Sequence, residues 1–111
     1  MTDSQYLVIE SRDPFESTDT AFVSDTAAAL RKRGRPVTVY FVQNGVLATR
    51  AGARGSHVAA LTQAGVKVLA DDFSLRERGI DRGELSPGVL EASIDSLVDL
   101  VMKPNTKTLW H

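Results

Sequence analysis

The stretch Val37-Thr38-Val39-Tyr40-Phe41-Val42, followed at once by Gln43-Asn44-Gly45, decides the fold. A short, nearly continuous apolar run ended by turn residues fits a strand buried on both faces, and such strands belong to parallel sheets covered by helices. Tyr6 to Glu10 upstream and Val66 to Ala70 downstream share that character, and Lys107 to Trp110 supplies a fourth strand. Between the first two strands, Asp13-Pro14-Phe15-Glu16 offers a cap residue, a first-turn proline and a carboxylate three residues after the cap. That pattern opens a helix running to Arg33 and stopped by Gly34, with Ser17 or Thr18 as alternative starts. Ser56 to Ala64 is a second, shorter helix ended by Gly65, and Val46 to Ala51 adds a helical turn after Asn44-Gly45. The strongest helical pattern is Pro87 to Lys103, capped by Ser86 and ended by Pro104, where Val89, Leu90, Ile94, Leu97, Val98, Val101 and Met102 recur at helical spacing.

Strand and helix therefore alternate in the order of right-handed parallel crossovers. The expected class is α/β: a flavodoxin-like three-layer sandwich with a mainly parallel sheet of four to five strands and helices on both faces. At 111 residues and 42% hydrophobic content the chain can cover one sheet but not build two cores, so a single domain over residues 1–111 is expected.

Thirteen basic against fourteen acidic side chains leave a formal charge of −1, which builds in no overall attraction to nucleic acid or to an anionic membrane. Neither is expected as a partner. The apolar runs are too short to span a bilayer, and Met1-Thr2-Asp3-Ser4-Gln5 has neither a basic start nor an apolar core of leader length, so a cytoplasmic protein is expected. The chain has no cysteine, which excludes disulfides, thiolate metal sites and persulfide formation on this chain itself.

Ligands of an open parallel sheet bind beyond the carboxyl ends of its strands. The residues to weigh are thus Glu10, Ser11, Arg12 and Asp13 after the first strand, Gln43, Asn44 and Gly45 after the second, and Asp71, Asp72, Ser74, Arg76 and Arg78 after the third. Asn44-Gly45 is either a tight turn or a set of backbone N–H groups aimed at an anion. Arg50 and Arg54 form either an anion patch or solvated surface. Adjacent carboxylates Asp71 and Asp72 suit Mg²⁺ binding or acid–base work, but hard cations ask for more oxygens than two neighbours supply, and the simpler role is to cap a helical turn over Phe73 to Arg78. His57 has no carboxylate or second histidine at i±4, so it builds neither a metal site nor a triad. Trp110, the only tryptophan, packs in the core or in a subunit interface, the interface being favoured. No metal and no cofactor are expected.

Taken in order, Val39-Tyr40-Phe41-Val42-Gln43-Asn44-Gly45-Val46, Gly65-Val66-Lys67-Val68-Leu69-Ala70 and Leu75-Arg76-Glu77-Arg78-Gly79-Ile80 resemble the DsrE/DsrF sulfur-relay family, a likeness that spans nearly the whole chain. The resemblance implies a small oligomeric α/β protein, several of whose relatives pass persulfide sulfur. Carriers in that family use a cysteine eight positions before the glycine of the Arg-Gly step. Counting back from Gly79 lands on Asp71, and a carboxylate forms no persulfide. The resemblance thus implies a non-carrier subunit, either a homo-oligomer or one paired with cysteine-bearing homologues. A crevice formed by Asn44, Gly45, Asp71, Asp72, Arg76 and Arg12 is then the candidate ligand site.

Three other classes fit less well. A phosphoacceptor receiver domain shares the aspartate after the third strand and a Lys103-Pro104 pair, but lacks the acidic pair ending the first strand. An enzyme acting in the crevice would have only Asp71, Arg76 and Asn44 as its polar cast, with no nucleophile and base at useful spacing. The third is a ligand-binding regulatory homo-oligomer. A dinucleotide site lacks its glycine-rich turn after the first strand.

Overall fold

The computed structural model describes residues 4–111, so Met1 to Asp3, part of the N-terminal stretch weighed above as a leader, lie outside the described residues. Strands β1 (Gln5–Glu10), β2 (Val37–Phe41), β3 (Lys67–Asp71), β4 (Val89–Ala92) and β5 (Thr106–Trp110) form one parallel sheet in the order β4-β3-β2-β1-β5. Helices α1 (Asp19–Lys32), α2 (Val58–Gln63), α3 (Asp72–Glu77) and α4 (Ile94–Met102) make the crossovers, with a 3-10 turn at Gln43–Thr49. The expected α/β three-layer sandwich is the fold observed.

The alternation of each strand distributes its side chains between two cores. Val8, Val39, Phe41, Val68 and Ala70 point to the face covered by Ala27 of α1, Val58 and Leu61 of α2 and Leu75 of α3. Leu7, Ile9, Tyr40 and Leu69 point to the other face, where α4 alone lies over them through Leu97 and Leu100. Three helices therefore share one face and one helix covers part of the other. Among the described residues no helix is long and apolar enough to cross a membrane.

The sequence pattern and the structure part company between Pro87 and Lys103. Gly88 adopts φ +90°, and Val89–Ala92 then extends and pairs with β3 in parallel, Val68 opposite Val89 and Asp71 opposite Ala92. The helix begins only at Ile94, and its cap is Ser93, whose hydroxyl accepts from Ser96 N at 3.3 Å, rather than Ser86. Val89 and Leu90 fit the helical spacing by coincidence; the open edge of β3 offered them a full ladder of hydrogen bonds, and tertiary pairing overrode local pattern. The Asp13 cap forms as well, with Phe15 N donating to its carboxylate and Glu16 reaching back to Asp13 N, but it closes a single turn. The helix itself starts at Asp19 after Thr18, one of the two alternative starts.

Candidate functional site

The chain leaves β3 into α3 on one face and leaves β4 into α4 on the other, as the two core clusters show through Leu75 and Leu97. Neighbouring strands whose exits diverge leave a gap at their carboxyl ends, which is where open α/β sheets hold ligands. A crevice of about 880 Å³ opens there, lined by Ser11 after β1, Gln43 and Asn44 after β2, Asp72, Arg76 and Arg78 in α3, and Ser93 and Ile94 after β4. Its size suits a small molecule.

Asp71 forms the floor. It is 4% exposed, yet every oxygen is engaged. One carboxylate oxygen accepts from Ser74 N at 2.9 Å and from Ser74 Oγ at 2.7 Å, which makes Asp71 the N-cap of α3. The other accepts from the Tyr40 hydroxyl at 2.8 Å. Ser74 Oγ in turn accepts from Gln43 N at 2.8 Å, so the network ties β2, β3 and α3 into one floor. Gln43 sits at φ 55°, a left-handed conformation that side chains other than glycine adopt at a cost, and this is how the chain turns its N–H onto Ser74. Above the floor, Arg78 donates to Asn44 Oδ1 through Nη2 at 2.9 Å and Nε at 3.2 Å, and to Ser74 O through Nη1 at 3.1 Å. Asn44 is therefore a bracket between two loops, and its Nδ2 also donates to Glu16 at 3.3 Å. Arg76 remains largely exposed beside Asp72, 3.8 Å away, and is the cation freest to meet a ligand in the crevice.

Not all the residues expected at the crevice gather there. Arg12 instead lines a small enclosed cavity with Glu10 and His57, about 10 Å³, room for roughly one water. Gly45 is buried behind the crevice wall. Arg50 and Arg54 flank a separate shallow depression with Gly52 and Glu84. Trp110 is 68% exposed and so is not a core residue. No group of three or more potential metal-ligating side chains occurs among the described residues.

Two features escaped sequence reasoning. Tyr40 lies 31 positions from Asp71, and only the register that sets Tyr40 against Leu69 brings them together. His111 Nδ1 lies 2.8 Å from Glu10 Oε2, a hydrogen-bonding contact between side chains 101 positions apart that fastens the end of β5 to that of β1.

Burial first, then the hydrogen bond with Asp71 and the negative charge of Asp71 and Asp72, hold the Tyr40 phenol well above the ordinary tyrosine value. The folded protein thus keeps this proton more tightly than the unfolded chain does. The resulting stability is fully present below about pH 10 and is lost as pH rises above it. The unfolding free energy from denaturant titration should fall more steeply from about pH 9.5 upward in the wild type than in Tyr40→Phe, by up to about 1.4 kcal/mol per pH unit. Parallel curves for the two proteins would refute this account of the hydroxyl.

The arrangement defines a parallel α/β protein with a polar crevice at the point where its crossovers diverge. No family profile and no curated protein matches the sequence. Among solved structures, the ychN protein from E. coli superimposes with a TM-score of 0.87 at 18% identity, covering 97% of this chain and 99% of that one. The protein of unknown function MTH1491 from Methanobacterium thermoautotrophicum gives a TM-score of 0.80 at 20% identity, over 97% and 98% of the two chains. The conserved protein of unknown function BT1422 from Bacteroides thetaiotaomicron gives 0.74 at 16% identity, over 96% and 95%. At these identities the likeness is one of fold, and it extends over at least 95% of each chain.

Proposed function

We propose that this chain is a single cysteine-less DsrE-like domain, a cytoplasmic non-carrier subunit of an oligomer that serves sulfur relay. The observation that carries this reading is the state of Asp71. A carrier must present its reactive atom to a partner, whereas the side chain at the corresponding position here is a carboxylate, buried and held by Tyr40 and Ser74. The overall shape supports the same reading through its likeness to the ychN protein.

The face under α4 supports an oligomer. In register across the sheet, Trp110 lies beside Ile9, but the helix that covers Ile9 does not extend over Trp110. Ile94, Val98 and Val101, at i, i+4 and i+7, form a second exposed apolar strip on α4. Apolar surface of this kind at the edge of a half-covered sheet is interface material, and Trp is a preferred anchor. The occupant proposed is a second DsrE-like chain, either a copy of this one or a cysteine-bearing homologue.

Native mass spectrometry of the protein captured from its own host, with each co-purifying chain identified, tests both parts. A complex with a cysteine-bearing homologue or a sulfurtransferase is the expected result. A complex of this chain alone would sever the link to sulfur and favour the second reading, a regulatory homo-oligomer binding a small molecule in the 880 Å³ crevice. Val98→Asp with Trp110→Asp should dissociate either assembly to monomers; an unchanged mass would remove this face from the interface.

A further inference from the structure

β5 ends the sheet, with β1 as its one neighbouring strand among the described residues. The bonds at its two ends set the phase of the ladder. Gln5 N donates to Asn105 O, His111 N donates to Ile9 O, and Ser11 N donates to His111 O, so the odd-numbered residues of this segment turn their backbone groups toward β1. Thr106, Thr108 and Trp110 therefore turn theirs outward, away from the sheet. An edge of this kind is a template for another strand unless proline, charge or a covering element blunts it. Thr106–Trp110 holds no proline, and Lys107 is its only charged residue. Both faces of the strand are also bare toward its carboxyl end. Leu109, in register with Val8, is exposed on the face of α1 beside the exposed Phe22, and Trp110, in register with Ile9, is exposed on the face of α4.

We propose that this edge pairs antiparallel with β5 of a second copy of the chain, about a two-fold axis through Thr108, joining the two five-stranded sheets into one. The seam is separate from the strip of Ile94, Val98 and Val101, so it goes beyond the reading above and depends neither on what occupies that strip nor on sulfur. In this register the strand is complementary to itself. Thr106 meets Trp110 of the second copy and Thr108 meets its own counterpart, so each outward residue exchanges both of its backbone bonds. An axis perpendicular to the sheet keeps like faces together, and Lys107 then stands opposite Leu109 of the second copy. Lys107 is on the face of α1, its ammonium 5.9 Å from the centre of the Tyr6 ring, and Leu109 lines a surface depression on that face with Phe22 and Asp19. Asp19 is the one carboxylate of that depression, and no lysine or arginine lines it. Neither Lys107 nor Asp19 stands in an ion pair within the chain. Pairing brings the ammonium of each copy toward the carboxylate of the other, twice across the seam. Centring the axis on Lys107 instead would set two ammonium groups opposite each other and put Trp110 against Pro104, which has no N–H to give. A strand of another protein would meet the same backbone groups, but a copy of this chain brings both halves of the charge pair and the matching register.

Sedimentation velocity of the intact chain at micromolar concentration, with circular dichroism to confirm folding, tests the seam. Thr108→Pro removes an outward N–H that the single chain does not use in its sheet, so it should keep the fold and halve the mass. Lys107→Asp should weaken association by about tenfold, and adding Asp19→Lys should restore it. The chain has no cysteine, so Thr108→Cys introduces its only thiol, facing its counterpart at a Cα separation of about 5.5 Å, within disulfide reach. Mild oxidation should lock that variant as a dimer and leave Leu90→Cys, on the opposite edge strand, unlinked. Adding Val98→Asp to Thr108→Cys should leave the cross-link in place, which separates this seam from the strip on α4. A monomeric wild type would overturn the proposal. So would a folded Thr108→Pro variant of unchanged mass, a charge exchange that restores nothing, equal cross-linking at the two edges, or loss of the Thr108→Cys cross-link on adding Val98→Asp.

Discussion

Asp71→Ala is expected to lower the unfolding free energy by about 3 kcal/mol, whereas Asp71→Asn is expected to cost less than about 1 kcal/mol. The difference follows from proton bookkeeping on the crevice floor. Alanine removes the cap of α3, the bond from Ser74 N, worth about 1 kcal/mol, and leaves the buried Ser74 Oγ without its acceptor, at about 1–3 kcal/mol. Tyr40 is spared, because its hydroxyl has a second acceptor in Ser93 O at 3.0 Å. In the wild type, that single hydroxyl proton faces both Asp71 Oδ1 and Ser93 O. Asparagine fits this geometry. Its amide oxygen can accept both Ser74 donors, and its Nδ2 can donate to the Tyr40 oxygen while Tyr40 donates to Ser93 O. Urea midpoints of the two variants decide the matter. If Asp71→Asn proved as damaging as Asp71→Ala, the negative charge itself would be required at this position. That outcome would move the acidic group from a structural to a ligand-facing role.

What the sequence made legible follows from how local each determinant is. Val37 to Val42 was readable as a buried strand because burial on both faces leaves no polar alternation, and Asp71 was readable as a cap because its partner Ser74 is three residues away. Val89 to Ala92 was not readable, because two apolar residues and a glycine suit either period and the free edge of β3 decided between them. The carboxyl ends of the strands could be singled out from the strand pattern alone, but the wiring of the crevice there was hidden. Tyr40 with Asp71, Asn44 with Arg78 and Glu10 with His111 are separated by 31, 34 and 101 positions, and no spacing rule reaches that far.

Gly45→Ala is expected to destabilise the protein by about 3 kcal/mol or more and to disorganise the crevice wall as it does so. A Cβ at position 45 would overlap the Glu10 carbonyl oxygen, a backbone atom that cannot swing aside. That carbonyl is itself committed, accepting from Val42 N at 3.0 Å, while Gly45 N donates to Val42 O at 3.0 Å. Relief therefore requires moving the whole 3-10 turn at Gln43–Thr49 away from β1. The same movement would draw Gln43 N from Ser74 and Asn44 from Arg78, so one methyl group at the back of the wall reaches the front of it. Gly83→Ala provides the control, since a Cβ there meets nothing within 4 Å, and it should change stability by no more than about 0.5 kcal/mol. A stable Gly45→Ala variant would mean that the turn has room to retreat from β1. Asn44-Gly45 would then be a replaceable turn.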